Sequence, residues 1–203
     1  MSKQFSRYGI LFVVSAPSGA GKSTLCDALR QTPDFVYSVS CTTRPPRAGE
    51  IDGEDYHFLS EAVFRARAAG GEFLEHANVH GKYYGTLRDP IVSHLHHGVD
   101  VVIDIDTQGA AAIRQYDDPF VRQALADVFI MPPDLAELRR RLTKRGTETA
   151  QQIESRLQTA AREMEHWRDY RYTIISRSVE EDLLKFRHIM GAERYLSSRM
   201  VLA

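Results

Sequence analysis

An α/β fold, a parallel sheet with helices on its flanks, is what this sequence predicts, and three observations predict it. A continuous β-prone apolar run at 10–14 leads through a glycine-bearing loop into a helical pattern in which Leu25, Ala28 and Leu29 recur at helical spacing. The same strand-then-helix order returns at 99–105 with 110–115, and again at 128–131 with 135–145. With 203 residues and 43% hydrophobic content, the chain suits one compact domain, or one core carrying insertions. Strands alternating with helices give a parallel sheet with right-handed crossovers, and its inner strands are apolar throughout because both faces are buried.

The helix over 135–145 has signals at both ends: Asp134 stands before it with Glu137 three residues on, and Gly146 closes it. A polar stretch at 147–150 follows, then a helical run to about Trp167, and a last helix is expected over 179–196. Between 42 and 98 the texture changes. Pro45, Pro46 and a series of glycines from Gly49 to Gly85 punctuate short β-like pieces at 56–59 and 72–75, so this region is expected as an insertion beside the core. The core then comprises 9–41, 99–142 and 157–191, with a short cover at about 143–156.

Composition excludes several function classes. Lys plus Arg number 26 against 27 Asp plus Glu, so a net charge of −1 gives no general attraction to nucleic acid or to an anionic membrane. Cys26 and Cys41 lack metal-ligand spacing and read as reduced thiols of a cytoplasmic protein. The opening residues 1–8 are polar, the run at 10–14 is too short for a signal peptide or membrane span, and no repeat or low-complexity tract is present. His94, His96 and His97 fit a solvated helix end better than a metal site, and Trp167 reads as a packing residue.

Ala16-Pro17-Ser18-Gly19-Ala20-Gly21-Lys22-Ser23 has the phosphate-loop pattern, with alanine at its first glycine position, between a predicted strand and a predicted helix. Small residues let successive backbone N–H groups turn inward around phosphate oxygens, and the helix N-terminus adds partial positive charge. Lys22 is expected on the β and γ phosphates of ATP, with Ser23 in the shell of a Mg²⁺ ion and Thr24 closing the loop.

A phosphate loop does not name the acceptor, and a second stretch addresses it. Ser40-Cys41-Thr42-Thr43-Arg44-Pro45-Pro46-Arg47-Ala48-Gly49-Glu50 sets two arginines on a segment stiffened by paired prolines. Two guanidinium forks at short spacing suit a dianionic phosphate. Further motifs are Gly53-Glu54-Asp55-Tyr56, Glu72-Phe73-Leu74-Glu75, Tyr83-Tyr84-Gly85-Thr86, Asp104-Ile105-Asp106-Thr107-Gln108-Gly109 and Arg141-Leu142-Thr143-Lys144-Arg145-Gly146. In this order and spacing the chain resembles the guanylate kinases over about 9–191.

The resemblance implies a phosphate-loop core with an inserted GMP-binding region and a short lid. It implies ATP bound at 16–24, and transfer of its terminal phosphoryl group to GMP, with dGMP as a further acceptor. In the family the residues matching Arg44, Arg47, Tyr56 and Tyr84 hold the GMP phosphate, and those matching Ser40, Glu75, Thr86 and Asp106 meet the guanine. The chemistry agrees: guanine presents N1–H and N2–H₂ as adjacent donors to a carboxylate such as Glu75, whereas adenine would present an acceptor, and hydroxyls can serve O6. Arg141, Arg145 and Arg156 match arginines that clamp ATP and the transferring group. Asp104 and Asp106 share one side of their strand if it stays extended, at its carboxyl end, and call for Lys22, an arginine or Mg²⁺ beside them, with Asp104 a second metal ligand.

Two departures stand out. Where family members carry Asn-Asp-Asp after the last core strand, this chain has Ser176-Arg177-Ser178, which relaxes the expected preference for adenine; Thr107 replaces a large apolar residue. The related scaffold domains that bind phosphorylated proteins have degraded phosphate loops, whereas Lys22 and Ser23 are present here, and no Asn-Lys-x-Asp sequence of a GTPase occurs. Partners are therefore expected to be the small nucleotides, with self-association into a homodimer or larger assembly left open.

Overall fold

The computed structural model describes residues 5–32, 34–79, 81–146 and 148–202. In chain order the elements are β1 (Phe5–Arg7), β2 (Leu11–Ser15), α1 (Lys22–Arg30), β3 (Val36–Tyr37), β4 (Cys41–Thr42), β5 (His57–Phe58), α2 (Glu61–Ala69), β6 (Phe73–Val79), β7 (Lys82–Leu87), α3 (Arg88–His96), β8 (Val101–Asp104), α4 (Thr107–Arg114), α5 (Pro119–Ala124), β9 (Leu125–Met131), α6 (Leu135–Arg145), α7 (Ala150–Glu165), β10 (Tyr172–Ile175), α8 (Val179–Arg194) and β11 (Met200–Leu202).

Among the described residues the central sheet has the strand order β10-β9-β2-β8-β3, and every pairing in it is parallel. The middle strand explains why its sequence is apolar without interruption. Phe12 and Val14 pack with Leu25, Leu29 and Phe186 on one face, while Leu11 and Val13 pack with Ile91, Leu95 and Ile113 on the other. Each such buried side chain contributes about 1.5–3 kcal/mol, so β2 is anchored from both layers. Ser15 ends the strand, and its hydroxyl donates to Ile105 O at 3.0 Å, tying the start of the phosphate loop to the chain leaving β8.

Beside this core, β5-β4-β7-β6 form a second sheet with α2 laid on it through Phe64, which stacks between Phe73 at 4.6 Å and Tyr83 at 5.4 Å. The expected insertion therefore has its own small apolar cluster. Its last helix does not join that cluster: Ile91 and Leu95 of α3 belong to the main core. The glycine and proline texture of 42–98 concealed α2, in which Phe64 is the buried apolar anchor.

The helix α6 has the two ends read from sequence: Asp134 accepts from Glu137 N–H at 2.7 Å, and Gly146 takes φ of 67°. It packs on α7 through Leu138, Leu142, Ile153, Leu157 and Ala160. The strand expected at 99–105 is confined to Val101–Asp104, and the helical run expected to Trp167 ends at Glu165 with a 3₁₀ turn beyond. Thr147, in the expected cover, lies outside the described residues. Cys26 and Cys41 are both buried free thiols, and no described helix is long and apolar enough to cross a membrane.

Candidate active site

The site lies at the carboxyl ends of β2 and β8. The loop 16–21 leaves β2 and enters α1 at Lys22, with Gly19 at φ 86° and Gly21 at φ 106°. These are left-handed conformations that side chains resist, and a Cβ on Gly19 would also come within 2.8 Å of Leu142 Cδ2. At α1 no side chain caps the first turn, unlike α4, α6 and α8, capped by Asp106, Asp134 and Ser178. Its N–H groups are thus available to an anion, as the loop pattern requires.

Lys22 Nζ lies 2.9 Å from Asp104 Oδ2, and Tyr37 donates its hydroxyl to Asp104 Oδ1 at 2.6 Å. Burial opposes the charge on Lys22, but the Asp104 carboxylate outweighs it and holds the ammonium above its usual pKa. Burial, then Asp104, pushes the Tyr37 hydroxyl up strongly and the Cys26 thiol up to about 12, so both stay protonated beside this pair. Asp104 has the cation that an acid in such a place needs.

A cavity of about 490 Å³ runs from Lys22 and Ser23, past Asp104 and Tyr56, to Glu75, Tyr84 and Asp106. Ser40 also lines it, held on the insertion where its carbonyl accepts from His57 N–H at 2.9 Å. Asp104 and Asp106 reach the cavity by different means, because the strand stops at Asp104. Asp106 is the N-cap of α4 and accepts from Gly109 N–H at 2.8 Å, so the two acids do not share an extended strand as the sequence suggested.

At the far end Thr86, fully buried, donates to Glu75 Oε1 at 2.7 Å. Its hydroxyl proton is therefore committed to Glu75, and it cannot at the same time donate to a base oxygen. Burial pushes the Glu75 carboxyl up to about 7 despite the Thr86 bond, and the nearby Asp106 adds to the rise. The β6–β7 register shifts between Phe73 and Glu75, next to this pair.

Arg44 and Arg47 are treated differently by the fold. The Arg44 guanidinium grips Glu50 with both nitrogens, at 2.8 and 2.9 Å, and lies over the ring of Tyr56 at 5.5 Å. Tyr84 meets Tyr56 edge-on at 6.1 Å. Glu50 also accepts from Arg47 N–H at 2.6 Å, whereas the Arg47 side chain is exposed. One fork is thus held on an internal carboxylate rather than both standing free.

On the other side of the loop, Arg141 donates to Ala20 O at 2.9 Å, to Ser176 Oγ at 3.1 Å and to Ser176 O at 3.1 Å, and is itself held by Glu137 at 2.8 Å. It lines, with Thr24, Ser176, Arg177 and Ser178, a second cavity of about 630 Å³. Arg156 pairs with Glu148 at 2.9 Å and approaches Ser18 Oγ at 3.5 Å. Arg145 ends α6, and its side chain lies outside what the structure describes. His96 stacks on Phe120 at 4.1 Å, and no group of three or more His, Cys, Asp or Glu converges among the described residues.

A loop with the phosphate-loop pattern and a carboxylate-ended cavity meet at Lys22. The family model described as Guanylate kinase matches residues 8–193. The chain belongs to the guanylate kinase family. The guanylate kinase of Maricaulis maris is 47% identical, covering 93% of this chain and 85% of its own, and that of Sphingopyxis alaskensis is 45% identical, covering 98% and 90%. The crystal structure of guanylate kinase from Anaplasma phagocytophilum aligns with a TM-score of 0.79 at 34% identity, covering 98% of this chain and 93% of that one. Guanylate kinase chemistry is the ATP-dependent phosphorylation of GMP to GDP, and the chain is a nucleoside monophosphate kinase.

Tyr37 and Glu50 take places in this site that sequence reasoning had not given them. Tyr37 sits on a two-residue strand with no periodicity to read, and its partner Asp104 is 67 residues away. Glu50 closes the arginine motif, and its role as the partner of Arg44 is visible only in the folded loop.

Proposed function

We propose that ATP lies on the loop 16–24 with its base toward the Ser176 cavity, and that GMP fills the cavity between Lys22 and Glu75. The observation that carries this reading is the single cavity joining Lys22 and Ser23 to Glu75, Tyr84 and Asp106, because it brings the end of one phosphate chain to the acceptor of another. Glu75 accepts from guanine N1–H and N2–H₂ through the oxygens that Thr86 leaves open, with Asp106 and Ser40 beside the base. Arg44, Arg47, Tyr56 and Tyr84 take the GMP phosphate, Arg44 exchanging or sharing its hold on Glu50.

The nucleophile is a GMP phosphate oxygen, which needs no general base. Asp104 suits none: one of its oxygens faces Lys22 and the other accepts from Tyr37. Catalysis is positioning and charge stabilisation, with Lys22 on the β and γ phosphates and Arg141, Arg145 and Arg156 gathering the donor and the transferring group. Ser23 and Asp104 offer hard oxygen donors in the same cavity, which fits Mg²⁺; one or two protein oxygens suffice when phosphates and water complete the shell. Held there by Ser23 and Asp104, Mg²⁺ would supply charge neutralisation for the phosphates during transfer. Closure of the insertion and of the short cover at about 143–156 over both nucleotides excludes water, so small-angle scattering should show compaction with both ligands. Two buried reduced thiols and the nucleotide substrates fit a cytoplasmic enzyme.

An ADP-release assay with GMP, dGMP, AMP, CMP and UMP tests the assignment. GMP and dGMP should turn over, and the other three should fall behind by about 10³-fold or more in kcat/KM, because the wrong base leaves Glu75 and Asp106 unpaired. Equal turnover of all five would remove it.

A further inference from the structure

Ser18, on the outer arm of the phosphate loop, is held from a distant part of the chain. Its backbone N–H donates to Glu163 Oε2 at 3.1 Å, and its hydroxyl oxygen lies 3.5 Å from Arg156 Nη1. Both partners are on α7. They stand seven residues apart, which is two helical turns, about 10 Å along the axis and the same face.

The apolar stripe beside these two residues sets the distance of α7 from the loop. Ile153, Leu157 and Ala160 pack on Leu138 and Leu142, and Leu142 closes on Gly19 with no room for a Cβ. Apolar contact of this kind is non-directional and leaves rotation and sliding weakly specified. The Glu163 hydrogen bond is directional, and it is a charge-assisted bond to a backbone group of the loop itself. Arg156 also pairs with Glu148 in the short segment before α7, and among the described residues Glu148 Oε2 is buried without a partner, so a turned α7 would leave Arg156 drawn to Glu148 rather than to the loop.

We propose that Glu163 is a positioning residue for phosphoryl transfer: by accepting the Ser18 N–H it sets the rotation of α7 on the phosphate loop and so aims Arg156 at the phosphates of the donor. The proposal rests on the reading that this loop holds the triphosphate and that Arg156 meets it. Glu163 itself touches neither substrate. The Ser18 amide is taken, so the phosphates are cradled by the amides deeper in the loop and at the start of α1.

The test is a double-mutant cycle on the full chain with ATP, Mg²⁺ and GMP, reading kcat and both KM values for Glu163→Ala, Arg156→Ala and the pair, together with melting midpoints. Glu163→Ala should lower kcat by about 10- to 100-fold with the GMP KM unchanged, since misplacing a positioned group by about 1 Å has that effect. In the Arg156→Ala background the same change should lower kcat by less than about twofold, because coupled residues are non-additive. Glu163→Gln, whose amide oxygen reaches the same N–H, should restore most of the rate. Glu163→Asp, charged but too short, should not, and this pair decides the matter even if the alanine variant folds poorly. Full additivity, failure of Gln to restore, or a fall in the ATP KM of Glu163→Ala would overturn the proposal, the last because it would make the carboxylate a competitor of phosphate. No loss in Arg156→Ala alone would instead overturn the assignment of Arg156, a separate failure recognisable from that single variant.

Discussion

The two halves of the proposed site, for donor and for acceptor, are built by opposite designs. On the donor side the anion hole is made of backbone: a loop with two left-handed glycines and a helix whose first turn no side chain caps. On the acceptor side it is made of side chains, and its central guanidinium, Arg44, is gripped by Glu50. Backbone N–H groups held in a loop need no partner to keep their direction. A long arginine does, since ordering such a side chain costs about 2 kcal/mol of rotamer freedom and an internal carboxylate holds it in place. The comparison teaches that the proposed donor half needs no side-chain partner to hold its shape, while the proposed acceptor half is held by an internal carboxylate that a bound phosphate would share or replace.

Removing the lysine at the centre of the donor half should have the largest effect. Lys22→Ala should lower kcat by about 10³-fold, measured by ADP release, because it removes the ammonium that the backbone cannot replace. It also strips Asp104 of its cation, leaving Tyr37 as partner. On the acceptor side Arg44→Ala should raise the GMP KM by about 10²-fold and leave the ATP KM within about twofold, since truncating one member of a hydrogen-bonded charge set costs about 2–5 kcal/mol. A comparable change in the ATP KM would erase the division between the halves.

Glu75→Gln sharpens the comparison at the base. The amide accepts with one oxygen and offers N–H groups to guanine donors, so the GMP KM should rise by roughly 10- to 100-fold. The pH dependence follows from the Glu75 pKa of about 7: as pH falls through that value the carboxylate is lost, and the GMP KM of the parent chain should rise more steeply than that of the variant, in which only the GMP phosphate, with a second pKa of about 6, still titrates. Stability moves the opposite way. The folded pKa lies above the ordinary 4.5, so the proton-linked stability of the empty chain is full below about 4.5 and lost as pH rises through about 7. Glu75→Gln should therefore raise the melting stability at pH 8 by roughly 1–2 kcal/mol. The smallest effect is expected from Gly109→Ala, whose Cβ would stand 3.0 Å from Glu75 Oε2: a few-fold rise in GMP KM with kcat nearly unchanged.

What was legible in the sequence follows the same division. The phosphate loop is contiguous, so its residue types and order carry the whole geometry, and the ends of α6 at Asp134 and Gly146 are equally local signals. The alternation of strand and helix gave the parallel sheet because β2, β8 and β9 are buried on both faces. The acceptor half was legible only as separate motifs whose meeting depends on the β4–β7 and β6–β7 pairings. Whether the strand stays extended through Asp106 was not legible, because nothing in Asp104-Ile105-Asp106 says where it stops; the capping of Gly109 N–H decides it. Thr86 is expected on the base, and its hydroxyl bond to Glu75 is a contact between strands that no spacing reveals. Glu163 was invisible for the same reason, since Ser18 is 145 residues away.

The central claim is that Glu75 waits as a weak acid and reads guanine as a carboxylate. Carboxyl-labelled NMR of Glu75 across a pH titration tests it most directly. In the empty chain the group should titrate near 7, and with saturating GMP it should drop toward the ordinary carboxylate value of about 4.3. A titration curve that GMP leaves unmoved would contradict the account, because the guanine donors would then not be on Glu75.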